Sequence, residues 1–187
     1  MTTRLTGVVL GLLAALVLST SSGCTTVAKQ AFHEFRGAKA DVSFVRDIGD
    51  RALAVYRSVE FESARSDVGL VCPPKVLQAW DQHAGEEQAE LAEYFPGGPP
   101  TLRIESEIWF FKEKGLLGHA ECLARVRMRD SGTVKADLIV QALSKSFRAG
   151  DESALTRAAV QAIGKFLKNQ KKAEENDEEE EDDDRER

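Results

Sequence analysis

Apolar and polar positions alternate from Thr101 to Lys112. Leu102, Ile104, Ile108 and Phe110 fall on one side of an extended chain, and Arg103, Glu105, Glu107 and Trp109 on the other. A period of two is the mark of a strand with one face buried. The pattern returns over His119–Arg129, where Ala120, Cys122, Ala124, Val126 and Met128 alternate with His119, Glu121, Arg125, Arg127 and Arg129. Asp130-Ser131-Gly132 then supplies hairpin-turn chemistry. Val134 to Phe147 reads as a third strand, less cleanly alternating and so twisted or bulged. An earlier strand is expected over Ala52–Glu62, with Leu53, Val55, Val59 and Phe61 on one face and Arg57 as the exception.

Two stretches change to the helical period. Leu77, Trp80, Ala84, Leu91 and Phe95 recur at three- and four-residue steps, predicting a helix from about Pro74 to Tyr94. Pro73-Pro74 suits its first turn, and Gly85 weakens its middle enough to break it there. Pro96-Gly97-Gly98-Pro99-Pro100 stops it. Asp151 is placed to cap a final helix. Leu155, Ala158, Ala159, Ala162, Ile163 and Phe166 form its stripe, through about Leu167. The order is β–α–β–β–β–α: an antiparallel meander, one strand joined through a helical crossover, and two helices on one face. This predicts a two-layer α+β sandwich, because a sheet covered on both faces would read as continuous apolar runs.

The start of the chain belongs to neither pattern. Arg4 precedes an apolar run from Leu5 to Leu18, too short to span a bilayer as a stable helix, which takes ~20 residues. Small residues and Ser22-Gly23-Cys24 follow. This is the layout of a secretory signal. It resembles the lipobox of bacterial lipoproteins, although the usual leucine three before the cysteine is Ser21 here. The resemblance implies removal of residues 1–23 and acylation of Cys24, palmitate included. Thr25 lacks the aspartate that accompanies inner-membrane retention, which directs the protein to the outer membrane, facing the periplasm. Cleavage near Ser21, or an uncleaved anchor, is the alternative. Residues 24–50 then read as tether and N-terminal cover (Phe32, Phe35, Phe44), 51–169 as the α+β domain, and 170–187 as an acidic tail.

The net charge of −6 conceals that tail. Eleven acids and two arginines between Glu174 and Arg187 carry −9, leaving about +3 on everything before them. With no aromatic residue, the tail is expected to be disordered. It can solubilise, hold divalent cations weakly, dock a basic partner, or fold back on Lys165–Lys172. With Cys24 assigned to lipid, Cys72 and Cys122 remain as an even pair in an oxidising compartment. They either form a disulfide or stand as two separate buried thiols.

The lipobox-like start and the element order together resemble a group of single-domain bacterial envelope lipoproteins of largely uncharacterised function. They are related in architecture to the curli-secretion channel lipoprotein and the N-terminal domain of the translocation protein TolB. The matching segments are LAVYRSVEFE, LAEYFPGG, TLRIESEIWFF, ECLARVRMRDSGTV and ESALTRAAVQAIGKFL. They carry a pattern of elements and no invariant catalytic residues, so the resemblance implies an envelope role and no more.

Signatures of catalysis are missing from the sequence: there is no GxSxG elbow, no GxxxxGK[ST] and no GxGxxG. His83 and Glu87 share a helix face at a spacing that offers two metal ligands, short of the three or four a site needs. A solvated helix face is the plainer reading. His119 is expected to be exposed at a sheet edge. Arg125, Arg127 and Arg129 line the polar side of one strand with Trp109 and Phe111 in the same phase. They mark a contact surface for an envelope protein or anionic glycolipid, or else an ordinary surface of cross-strand ion pairs. No catalytic residue, cofactor, metal or nucleic-acid partner is expected. The reading is a non-enzymatic, membrane-anchored structural or assembly subunit; the alternative is a periplasmic binding module for a lipid, glycan or small ligand. Cys24→Ser is expected to move the protein from the membrane to the soluble fraction with its circular dichroism unchanged.

Overall fold

The computed structural model describes residues 37–46, 48–49, 52–67, 72–113, 118–145 and 151–185, with the side chains of 46 and 173–185 left aside. Cys24, the signal segment, Phe32 and Phe35 lie outside the described residues. The elements are β1 (Lys39–Arg46), β2 (Ser58–Phe61), α1 (Pro74–Leu91), β3 (Thr101–Lys112), β4 (Ala120–Asp130), β5 (Thr133–Ser144) and α2 (Glu152–Arg185). They form one five-stranded sheet in the order β1-β5-β4-β3-β2. The β2–β3 pair is parallel, spanned by α1, and the other neighbours are antiparallel. Both helices pack on one face, giving the expected two-layer α+β sandwich.

One strand is added to the sequence reading. Residues assigned to the N-terminal cover form β1 at the sheet edge, with Val42 opposite Val140 and Ala40 opposite Ala142. The period was there on a small scale: Ala40, Val42 and Phe44 alternate with Lys39, Asp41 and Ser43. Phe44 meets Phe166 of α2 edge to face, centroids 5.6 Å apart.

The expected strand over Ala52–Glu62 is shorter than its alternation suggests. Residues 52–55 make a turn, and only Ser58–Phe61 pairs with β3. Leu53, Ala54 and Tyr56 are buried while Val55 is 64% exposed, a turn spacing and not a strand spacing. Tertiary bonds fix this turn. Gln170 Oε1 accepts from the Leu53 amide, Lys171 Nζ donates to the Ala54 carbonyl, and Tyr56 donates its hydroxyl to Asp130.

The alternation of β3 shifts phase near its end. A bulge between Ile108 and Phe110 puts two residues against one on β4. Phe110 therefore turns outward, contrary to the strict period, and Phe111 turns in to 7% exposure. Within the core, Trp80, Leu102, Ile104, Ile108, Met128, Leu138, Leu155, Ile163 and Leu167 are fully buried. Each such side chain contributes ~1.5–3 kcal/mol by leaving water.

Asp151 caps α2 as expected, its Oδ1 accepting from the Ala154 amide at 2.8 Å. Gly85 does not break α1, which runs unbroken from Pro74 to Leu91. The backbone of α2 stays helical to Arg185, within the segment where composition predicts disorder. Lysine, glutamine, glutamate and alanine dominate residues 168–181, and all are good helix formers.

The two helices meet over a polar seam. Glu87 is only 4% exposed, and Lys168 Nζ lies 2.9 Å from its Oε1. The carboxylate occupies space that Gly164 leaves open: a Cβ there would lie 1.8 Å from Oε1 and 2.3 Å from Cδ. So the face shared by His83 and Glu87 is a buried helix–helix contact and not a solvated helix face. Gly164→Ala should displace Glu87 and destabilise by roughly 1–3 kcal/mol. In a Glu87→Ala background the same change should be neutral or stabilising by up to ~1 kcal/mol, as glycine gives way to alanine in a helix. Urea denaturation of the four proteins in the cycle measures the coupling.

Candidate functional site

With both helices on one side, the other sheet face is built from the polar phase of each strand. Cross-strand register arranges it in rows. Arg103 stands opposite Arg129, Glu105 opposite Arg127, and Glu107 opposite Arg125; Arg127 in turn faces Asp137. Long side chains in this lattice reach their diagonal neighbours. Arg125 is bidentate on Asp137, with Nε 2.8 Å from Oδ1 and a terminal nitrogen 2.5 Å from Oδ2. Arg127 donates to Glu107 at 3.2 Å. Arg129 Nε sits 2.8 Å from Glu105 Oε1, and Arg129 also donates to the Gly132 carbonyl at 3.1 Å. Arg103 is more loosely placed, 3.5 Å from Glu60.

Every arginine that the sequence singled out is thus tied to a carboxylate of the same sheet. The basic stripe is cancelled laterally, so anionic glycolipid would meet little net positive field there. What remains is a stiff lattice of half-buried pairs, since bidentate and charge-assisted bonds fix both partners. Asp137, hydrogen-bonded by Arg125 and close to Arg127 and Arg129, is held below the usual carboxylate pKa despite partial burial.

Trp109 lies beside this lattice with the Arg125 guanidinium 5.8 Å from its ring centroid, a cation–π contact. Beyond it apolar side chains enter the outer face, interspersed with Gln141 and Glu121. Phe110 opposes Leu123, and Ile139 and Leu143 occupy the same face of β5. The charged end carries two open grooves. One, of about 540 Å³, lies among Glu62, Pro99, Arg103, Arg129 and Ser131. The other, of about 750 Å³, lies among Val45, Ile48, Arg125, Val134 and Asp137.

Between the helices, Glu86 Oε2, His83 and Ser153 Oγ line up in the order acid–imidazole–hydroxyl, at 2.8 Å on Nδ1 and 3.1 Å on Nε2. A nucleophile needs a cleft and oxyanion donors besides its base. The nearby Ala154 amide is already given to Asp151. The row acts as a staple from α1 to the first turn of α2. No group of three or more metal-ligating side chains occurs among the described residues.

His119 is 46% exposed beside Glu121, 3.4 Å away. Cys72 and Cys122 are both buried and both free thiols. Burial pushes Cys122 up to about 12, with Cys72 a secondary cause, and raises Cys72 as well. The structure places Arg125, Arg127, Arg129 and Trp109 on one face, as the alternation predicts, and adds Phe110, whose outward turn depends on the bulge.

No protein-family model matches the chain, and no curated protein matches it. Among solved structures, a PelC variant dodecamer from Paraburkholderia phytofirmans is similar over 72% of this chain and 97% of that one, at 12% identity and TM-score 0.45. A second PelC dodecamer from that organism covers 70% and 96%, at 8% identity and TM-score 0.42. The hypothetical protein CT253 from Chlamydia trachomatis covers 59% and 97%, at 14% identity and TM-score 0.37.

The pair of Arg125 and Asp137 has a pH signature. A carboxylate whose folded pKa lies below its unfolded value of ~3.9 adds stability above that pH, and the gain is lost as pH falls through the folded value. Unfolding free energy should therefore decline below about pH 4. Asp137→Asn should lower stability at neutral pH by roughly 1–3 kcal/mol and flatten the acid decline. Denaturant titrations from pH 7 to pH 3 test both effects.

Proposed function

We propose that the chain is a non-enzymatic envelope lipoprotein, anchored through Cys24 in the outer membrane, whose α+β domain serves as a structural or assembly subunit in the periplasm. The observation that carries this reading is the outer sheet face, which no layer covers among the described residues. Its charged side chains are fixed by one another, so little side-chain entropy remains to be lost when a partner docks. Its two grooves provide relief for a protein contact, and their mixed charge favours a partner whose own charges alternate.

The grooves also favour a second reading, a periplasmic module that takes a glycan or other small polar ligand between the arginines and carboxylates. Site-specific photocrosslinking in intact cells separates the two readings. A crosslinker at Ser131, on the hairpin at the charged end, should give one adduct of discrete mass, reduced by Arg103→Glu. A crosslinker at Gln78, on the exposed side of α1, should give none. Equal adducts from both sites, or none from Ser131, would contradict the assembly role. In the latter case, a shift of Trp109 emission on adding envelope glycans would support the ligand module.

A further inference from the structure

The two ends of the outer sheet face differ in chemistry, and the chain enters the domain at one of them. Lys39, the first residue of β1, is opposite Leu143. Leu143 is opposite Glu121, and Glu121 opposite Lys112. One row further in lie Asp41, Gln141, Leu123 and Phe110. The tether from Cys24 therefore arrives beside the apolar end, and the two grooves lie at the opposite end, around the β4–β5 hairpin.

We propose that this apolar end rests on the lipid surface to which the chain is anchored. The inference deepens the proposed function and depends on its lipid anchor. Three observations converge on it. First, five apolar side chains stand in the polar phase of three adjacent strands here: Trp109, Phe110, Leu123, Ile139 and Leu143, with Gln141 and Glu121 as the polar residues among them. Phe110 is 36% exposed and the other four are half-buried, although no layer covers them among the described residues.

Second, Lys39, Lys112 and Lys145 stand exposed around this patch. The nearby carboxylates are Asp41 and Glu121. Glu121 accepts from Gln141 at 2.6 Å and has His119 3.4 Å away. Lysines around an apolar patch suit a headgroup layer with anionic lipid, where each contributes ~1 kcal/mol. A tryptophan at the border between apolar and charged zones matches the preference of indole for the lipid interface.

Third, β1 begins at this end, so the segment that follows Cys24 joins the domain here. Fourteen residues lie between Cys24 and Lys39, a reach of at most about 50 Å when fully extended. Tethering at that range makes docking intramolecular, with an effective concentration on the order of millimolar, so even a weak patch is held down. The grooves are then turned away from the bilayer, toward whatever the charged end meets.

The two tryptophans make this measurable. Trp80 is fully buried between α1 and the sheet and serves as an internal reference, while Trp109 borders the patch. The full-length protein, purified from membranes in detergent, is reconstituted into phosphatidylethanolamine–phosphatidylglycerol vesicles with brominated acyl chains, then floated. Trp109 emission is taken as the difference from Trp109→Phe. It should fall about two-fold or more against unbrominated vesicles, because an interfacial patch enters ~5–10 Å into the headgroup and acyl boundary. Phe110→Glu should restore the emission while the protein still floats, with an unchanged Trp80 spectrum showing that it has folded.

Protein that floats with Trp109 unquenched overturns the docking and leaves the anchor standing. Protein that stays at the bottom overturns both. Trp109 shielded from aqueous iodide yet untouched by bromine would mean that a second copy or another segment covers the patch, and would also overturn the proposal.

Discussion

Two helices share one face of the sheet because their own contact can close around a carboxylate. Glu87 occupies the space that Gly164 leaves, with Lys168 against it, while His83 ties α1 to the first turn of α2 through Ser153. A buried charge is tolerated only with a partner in place. The close approach of the helices thus depends on a missing Cβ. Once the pair is seated, its apolar sides complete a core of Trp80, Leu91, Leu155 and Ile163 against the inner sheet face. Neither helix is left for the other face.

That asymmetry dictates the rest. A sheet face that no layer covers among the described residues is stabilised laterally, and the strands do so by setting Arg125, Arg127 and Arg129 among Glu105, Glu107 and Asp137. Single exposed ion pairs contribute little, but a lattice of partly buried pairs holds its members in one geometry. The lattice stops at Trp109, where the β3 bulge turns Phe110 outward and apolar side chains enter the face. The insertion in β3 thus adds Phe110 to Leu123, Ile139 and Leu143, which reach this face by the regular period of β4 and β5.

Much of this was legible in the chain. The alternation in Thr101–Lys112 sets β3 to its first and last residue, and Asp151 announces the start of α2. The missed features share a cause: their partners are distant in sequence. Nothing near Leu53 tells that Gln170 and Lys171 will hold its turn, and the local alternation of Leu53 and Val55 mimics a strand period. Glu87 and His83 were recognised as sharing a face, but Gly164 and Ser153 come about seventy residues later. In Ile108-Trp109-Phe110-Phe111 any phase is compatible with the pattern, and only the register against Leu123 and Cys122 decides it. The arginines were found, whereas their neutralisation needed the cross-strand diagonals.

In the proposed role this domain meets its surroundings through the outer sheet face and leaves the helical layer to solvent. Carbene footprinting of the full-length protein, comparing intact cells with the detergent-purified chain, distinguishes the two faces. Phe110, Leu123, Arg103 and Ser131 should lose labelling in the cell envelope, while Gln78, Gln82 and Glu86 on α1 are labelled equally in both. Protection of the α1 side chains, with the sheet face labelled as in detergent, would contradict that role.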